Sequence, residues 1–153
     1  MGIIQFKRVF RLFFVFSALA LSVGCGGGGG GSSSDDIDTP VYPRFAYVAN
    51  SSDNTVSVYA VNASTGRLRL TSTAATGSYP VSVSIDPSGR YAYVANQTGN
   101  TVSQYTIGTD GSLTAMGTPT VATGSNPVSV TVDPSGRYAY VANRGGSTIS
   151  QYT

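Results

Sequence analysis

The chain has 153 residues, a formal net charge of +2, no histidine, no tryptophan and a single cysteine. That inventory excludes the usual zinc, copper and haem ligand sets, which draw on histidine and on paired cysteines, and it excludes a disulfide within one chain. Of the nine basic residues, Lys7, Arg8 and Arg11 belong to the N-terminal segment; the remaining six arginines face seven aspartates, a net charge of −1, so no basic footprint for nucleic acid is present.

Lys7, Arg8 and Arg11 precede an apolar run from Leu12 to Val23. The uncharged stretch Leu12 to Gly24 is shorter than the roughly 20 residues a helix needs to cross a bilayer, and it has the length of a signal-peptide core. It closes on Leu21-Ser22-Val23-Gly24-Cys25, which resembles the lipobox of bacterial lipoproteins, with Ser22 where leucine is commoner. The resemblance implies a signal peptide over 1–24 and a diacylglycerol on the Cys25 thiol, leaving Cys25 as the new N-terminus. The plainer reading is an ordinary secretory signal with Cys25 incidental; the lipoprotein reading is preferred because the chain's one cysteine lies at the cleavage point. Several acyl chains on one residue anchor stably where a single chain does not. The following Gly26 is not the aspartate that marks inner-membrane retention in such lipoproteins, which implies an outer-membrane or cell-surface address.

Residues 25–40 read as a tether. Gly26 to Gly31, Ser32 to Ser34 and then Asp35, Asp36 and Asp38 lack the apolar surface to order themselves.

Residues 41–153 are strand and turn throughout. Asp86-Pro87-Ser88-Gly89-Arg90-Tyr91-Ala92-Tyr93-Val94-Ala95-Asn96 returns unaltered at Asp133 to Asn143, and its second half is echoed by Arg44 to Asn50. A period of about 46 residues marks a stacked-repeat architecture. Within one period, Val81, Val83 and Ile85 alternate with serines as a strand, and Asp86-Pro87-Ser88-Gly89 is turn chemistry. A second strand follows from Tyr91, a third runs over Thr101 to Ile107, and Asp110-Gly111 signals a hairpin. A fourth, less regular strand covers Leu113 to Thr123, with Pro119 best tolerated on a sheet edge. Four antiparallel strands per period predict an all-β chain whose repeats are blades of a β-propeller, at about 41–79, 80–126 and 127–153. The first blade lacks its innermost strand and the third stops inside its third strand, so about two and a half blades are expected.

Pro80 to Asn96 and Pro127 to Asn143 resemble the repeat of YVTN-type propellers, a group that includes the seven-bladed lactonase family (6-phosphogluconolactonase-like proteins) and surface-layer repeat proteins. The resemblance covers Arg44 to Thr153. It implies an innermost strand over Val81 to Asp86 lining a central channel, and a whole protein of about 350 to 400 residues at this period. It implies lactone hydrolysis as one activity, beside two others: a lipid-anchored scaffold binding a small molecule or protein on a propeller face, and a structural surface protein. The scaffold reading is preferred at this point, because an exported protein does not meet a cytosolic sugar phosphate. No cofactor and no metal are expected. Were Thr153 the native C-terminus, unpaired edges would favour self-association.

The repeated residues read as scaffold: Asp86 and Asp133 as turn caps, Tyr47, Tyr93, Tyr140, Tyr59, Tyr105 and Tyr152 as core or blade-interface residues, Arg90 and Arg137 as snorkelling cations. Catalytic residues are not identified. Positions that break the repeat carry more information. Asp53 and Asn54 become Gly99-Asn100 and Gly146-Ser147 in the later blades, and Arg144 replaces Ser51 and Gln97. Asp53 and Arg144 are therefore the candidate site residues, as the carboxylate and the cation that scaffold repetition does not explain.

Overall fold

The computed structural model describes residues 44–153; the expected signal peptide 1–24, Cys25 and the expected tether 25–40 lie outside the described residues. Ten strands form three antiparallel sheets. The first holds β1 (Arg44–Asn50), β2 (Thr55–Val61) and β3 (Leu68–Ala75) in that order. The second is a complete blade of β4 (Pro80–Ile85), β5 (Tyr91–Asn96), β6 (Thr101–Ile107) and β7 (Leu113–Ala122), again in sequence order. The third contains β8 (Pro127–Val132), β9 (Ala139–Asn143) and β10 (Thr148–Tyr152). The described residues are thus part of a β-propeller.

The first strands β4 and β8 pack beside each other and β1 packs beside β4, whereas the outer strands β3 and β7 barely meet. The blades therefore converge on the β4/β8 side, where Val130 N donates to Ser82 Oγ at 3.3 Å. β7 is the outer edge of its sheet, and its ladder with β6 shifts register between Ser103 and Tyr105. That irregularity accommodates Pro119, which has no N–H to give, and Gln104 Nε2 reaches across it to Thr118 O at 3.0 Å.

Alternation along β5 sends its two sets of side chains into different seams. Ala92 and Val94 join Val56 and Tyr105 between the first and second sheets, while Ala95 joins Val102, Val130 and Val141 between the second and third. Small residues on one sheet receive the tyrosines of the next. Tyr105 Oη donates to Ala75 O at 2.5 Å and Tyr152 Oη to Ala122 O at 2.6 Å, the same bond one repeat apart. Tyr47 reaches the other way, donating to Gly111 O at 2.9 Å. Burial and then the nearby Asp110 charge push the Tyr47 hydroxyl up to about 12. Tyr140, expected at an interface, is instead 36% exposed, and Ile149 is 72% exposed; they lie in the third sheet, against which no further sheet packs among the described residues. Tyr59, the first-sheet counterpart of Tyr105 and Tyr152, is half-buried, with no preceding sheet to receive it among the described residues.

Candidate functional site

Consecutive connections of an antiparallel blade alternate between its two ends, so the propeller has two faces of different make. One carries the turns 86–90 and 133–137 and the hairpin 108–112. Its carboxylates are occupied. Asp86 Oδ1 accepts from Arg90 N and Tyr91 N, both at 2.8 Å, and its Oδ2 accepts from Ser88 N at 3.0 Å and from the Ser88 hydroxyl. Asp133 repeats the arrangement with Ser135, Arg137 and Tyr138. These bonds hold the Asp133 carboxyl down to about 2, the Ser135 hydroxyl contributing most, and the Ser112 hydroxyl and N–H lower Asp110 in the same way. Arg90 and Arg137 lie 5.7 and 5.6 Å over the rings of Tyr91 and Tyr138, folded onto their own strands. This face caps its turns.

The other face carries the loops 51–54, 97–100 and 144–147 and the connections 76–79 and 123–126. Among the described residues, all five non-glycine residues of positive φ lie on it: Asn54, Tyr79, Asn100, Asn126 and Ser147. Each blade ties its loop to the sheet through one asparagine. Buried Asn96 donates through Nδ2 to Thr101 Oγ1 at 3.0 Å and Ser103 Oγ at 2.9 Å, and Ser103 Oγ accepts from Gly77 N at 3.1 Å. A Cβ on Gly77 would stand 2.6 Å from that amide nitrogen, so the connection approaches this closely only as glycine.

Where one blade's connection meets the next blade's loop, the backbone forms a repeated station. Tyr79 N donates to Asn54 Oδ1 at 2.7 Å, and Tyr79 O accepts from Gln97 N at 2.8 Å. One repeat later, Asn126 N donates to Asn100 Oδ1 at 2.8 Å and Asn126 O accepts from Arg144 N at 2.9 Å. Ser51 Oγ adds a bond to Pro80 O at 2.7 Å, bridging the first blade's loop to the second blade's inner strand. Each station sits at a blade seam and next to the start of an innermost strand, hence at the rim of the converging side.

Asp53 and Arg144 both lie on this face and are both exposed. They fall in neighbouring stations, Asp53 beside Asn54 in the first and Arg144 in the second. Neither side chain makes a hydrogen bond among the described residues, and none joins the two. Sequence reasoning missed Tyr79. It adopts φ 59°, a left-handed conformation that costs an L-residue about 1–2 kcal/mol and is out of character for a bulky side chain. Asn126, one repeat on, holds φ 51° in the same bonds with a residue type that tolerates it. Tyr79 is nevertheless 45% exposed, so packing does not offset the strain. The available signal was the exchange of Tyr79 for Asn126 at one repeat position.

The apolar recess between the second and third sheets, bounded by Tyr93, Val102, Val121, Val141 and Tyr152, is a packing seam rather than a site. Among the described residues, no three His, Cys, Asp or Glu side chains gather as metal ligands.

Residues 27–130 match the family described as lactonase, seven-bladed β-propeller. This chain belongs to that lactonase propeller family. Residues 125–149 also match the LVIVD repeat. A candidate 6-phosphogluconolactonase from Bacteroides fragilis is similar at 27% identity and a TM-score of 0.65, over 70% of this chain and 31% of that one. A candidate 6-phosphogluconolactonase from Bacteroides uniformis shares the fold at 21% identity and a TM-score of 0.65, over 71% of this chain and 32% of that one. The periplasmic gluconolactonase of Pseudomonas aeruginosa shares it at 24% identity and a TM-score of 0.62, over 72% of this chain and 32% of that one. No curated protein sequence matches the chain. The chain therefore spans about a third of the length of these structures.

Proposed function

We propose that this chain belongs to a lactone-hydrolysing propeller that is exported and anchored at the cell envelope through Cys25. The observation that carries the reading is the match of residues 27–130 to the lactonase propeller family, which moves hydrolysis ahead of the scaffold role preferred from sequence. In lactone hydrolysis a water oxygen attacks the ring carbonyl, the carbonyl–ring oxygen bond breaks, and a proton passes to the departing ring oxygen. The attacking water has to lose a proton to a base, and the tetrahedral oxyanion needs a positive partner. On the loop face Asp53 is a carboxylate with no partner among the described residues, and Arg144 is a cation in the same condition. Their stations adjoin, and both lie at the rim where the inner strands converge.

The test is acid release from gluconolactone by the protein as expressed in its native envelope, in excess of the spontaneous rate. The expectation is turnover that falls at least ~10-fold in Asp53→Asn. Turnover that is unaffected by the substitution would remove Asp53 from the reaction. No release above the spontaneous rate would defeat the lactonase reading and leave the scaffold reading, which the bland, turn-capping repeats favour. The anchor is checked separately by incorporation of labelled fatty acid, which Cys25→Ser abolishes if the lipoprotein reading holds.

A further inference from the structure

We infer that Tyr79 is a stacking platform for a neutral sugar ring, seated at the seam between the first and second blades on the loop face. Three observations converge there. The residue's backbone is held from both adjoining blades: Tyr79 N donates to Asn54 Oδ1 and Tyr79 O accepts from Gln97 N. It is strained yet exposed, at φ 59° and 45% exposure, where the next repeat places an unstrained asparagine. Strain of this kind persists at ligand-holding positions because the surroundings over-determine it.

The surroundings also select the ligand. Asp53 and Asn54 border the station from the first blade and Gln97 from the second, and among the described residues the Asp53 carboxylate, the Asn54 side-chain nitrogen and the Gln97 side chain carry no hydrogen bond. An exposed aromatic ring on a station whose neighbouring residues are amides and one carboxylate suits a ligand with C–H groups on one side and hydroxyls around its edge, which describes a pyranose. A nucleotide would also stack, but its phosphate would meet Asp53 with no cation in the station; Arg144 belongs to the next one. A binding pocket works in this way, an apolar wall with a few placed polar groups.

The probe is methyl glucopyranoside, which is not a lactone and cannot be turned over, so its binding stands or falls separately from hydrolysis. Saturation-transfer NMR should show contact to the sugar's ring protons, and titration should give an affinity that Tyr79→Phe largely keeps. Tyr79→Asn installs the residue of the next repeat and should bind at least ~10-fold more weakly, while its unfolding midpoint stays level or rises. Equal affinity in Tyr79→Asn would overturn the proposal. So would the absence of sugar binding in the unsubstituted protein, or tighter binding of adenosine monophosphate or of a peptide at this residue.

Discussion

Replacing Asp86 by alanine tests whether the repeated aspartate caps a turn or takes part in chemistry. Asp86 is 7% exposed and accepts from Ser88 N, the Ser88 hydroxyl, Arg90 N and Tyr91 N. Hydrogen bonds to a charged group contribute about 1.5–3 kcal/mol each, and a donor that can be rehydrated recovers part of the loss. Ser88 and Arg90 are exposed and regain water; Tyr91 N, half-buried at the start of β5, does so less readily. The backbone bond from Asp86 N to Tyr91 O at 3.0 Å survives the substitution. The net cost is about 2–4 kcal/mol, a fall in the urea midpoint of about 1–2 M at a slope near 2 kcal/mol/M. Asp133→Ala removes the same bonds from a more exposed turn and should cost less. Urea titrations followed by far-ultraviolet circular dichroism measure both. A midpoint unchanged by Asp86→Ala, together with lost turnover, would refute the capping argument and make Asp86 a site residue.

Two further substitutions probe the seam between the first two blades. Gly111 has φ 82°, and an added Cβ would overlap the Phe45 ring; Gly111→Ala should therefore destabilise by about 2–4 kcal/mol, combining backbone strain with overpacking, measured as a lowered melting temperature. Tyr47→Phe removes one bond to Gly111 O and should cost about 1 kcal/mol at neutral pH. Its larger signature is alkaline. The folded-state pKa of Tyr47 is raised to about 12 from 10.0, so the folded state favours the neutral phenol, and its stabilisation is complete below pH 10 and lost as pH rises to 12. Tyr47→Phe should flatten that stretch of the stability–pH curve, and an unchanged slope would contradict the burial argument.

The blade was legible because its determinants are local. Alternation over Val81 to Ile85 and Tyr91 to Asn96 sets which side chains enter which seam, and the Asp-Pro-Ser-Gly turn draws all its bonds from the next few residues. Pro119 announced an edge strand for the same reason. The exposure of Tyr140 was not legible, since the repeat pattern identifies the residue's face but not whether a neighbouring sheet covers it. Tyr79 was harder still. Its conformation is imposed by Asn54 and Gln97, which come from two different blades, and no alternation or turn rule reports a contact between a connection and the loop of the next repeat. Asp53 and Arg144 were found as exceptions to the repeat; their neighbouring stations became visible only with the backbone bonds that define those stations.

The division between the two faces has a chemical basis. Residues that recur unchanged are largely spent on internal bonds: Asp86 on its turn, the Asn96 side-chain nitrogen on Thr101 and Ser103, Tyr105 on Ala75. A group whose hydrogen-bonding capacity is already filled can meet a ligand only by breaking what holds the blade, so such positions are poor places to evolve recognition. The stations invert this economy. Their geometry is carried by the backbone of Tyr79 and Asn126 and by one oxygen of Asn54 and Asn100, which leaves the side chains of Tyr79, Gln97, Asn126 and Arg144 outside the bonds that define the seam. Exchange at those positions changes what the rim presents while the seam keeps its bonds. A ring of similar blades can thus carry a different side chain at each seam, and specificity within this family is expected to follow the stations rather than the repeated Asp-Pro-Ser-Gly-Arg turns.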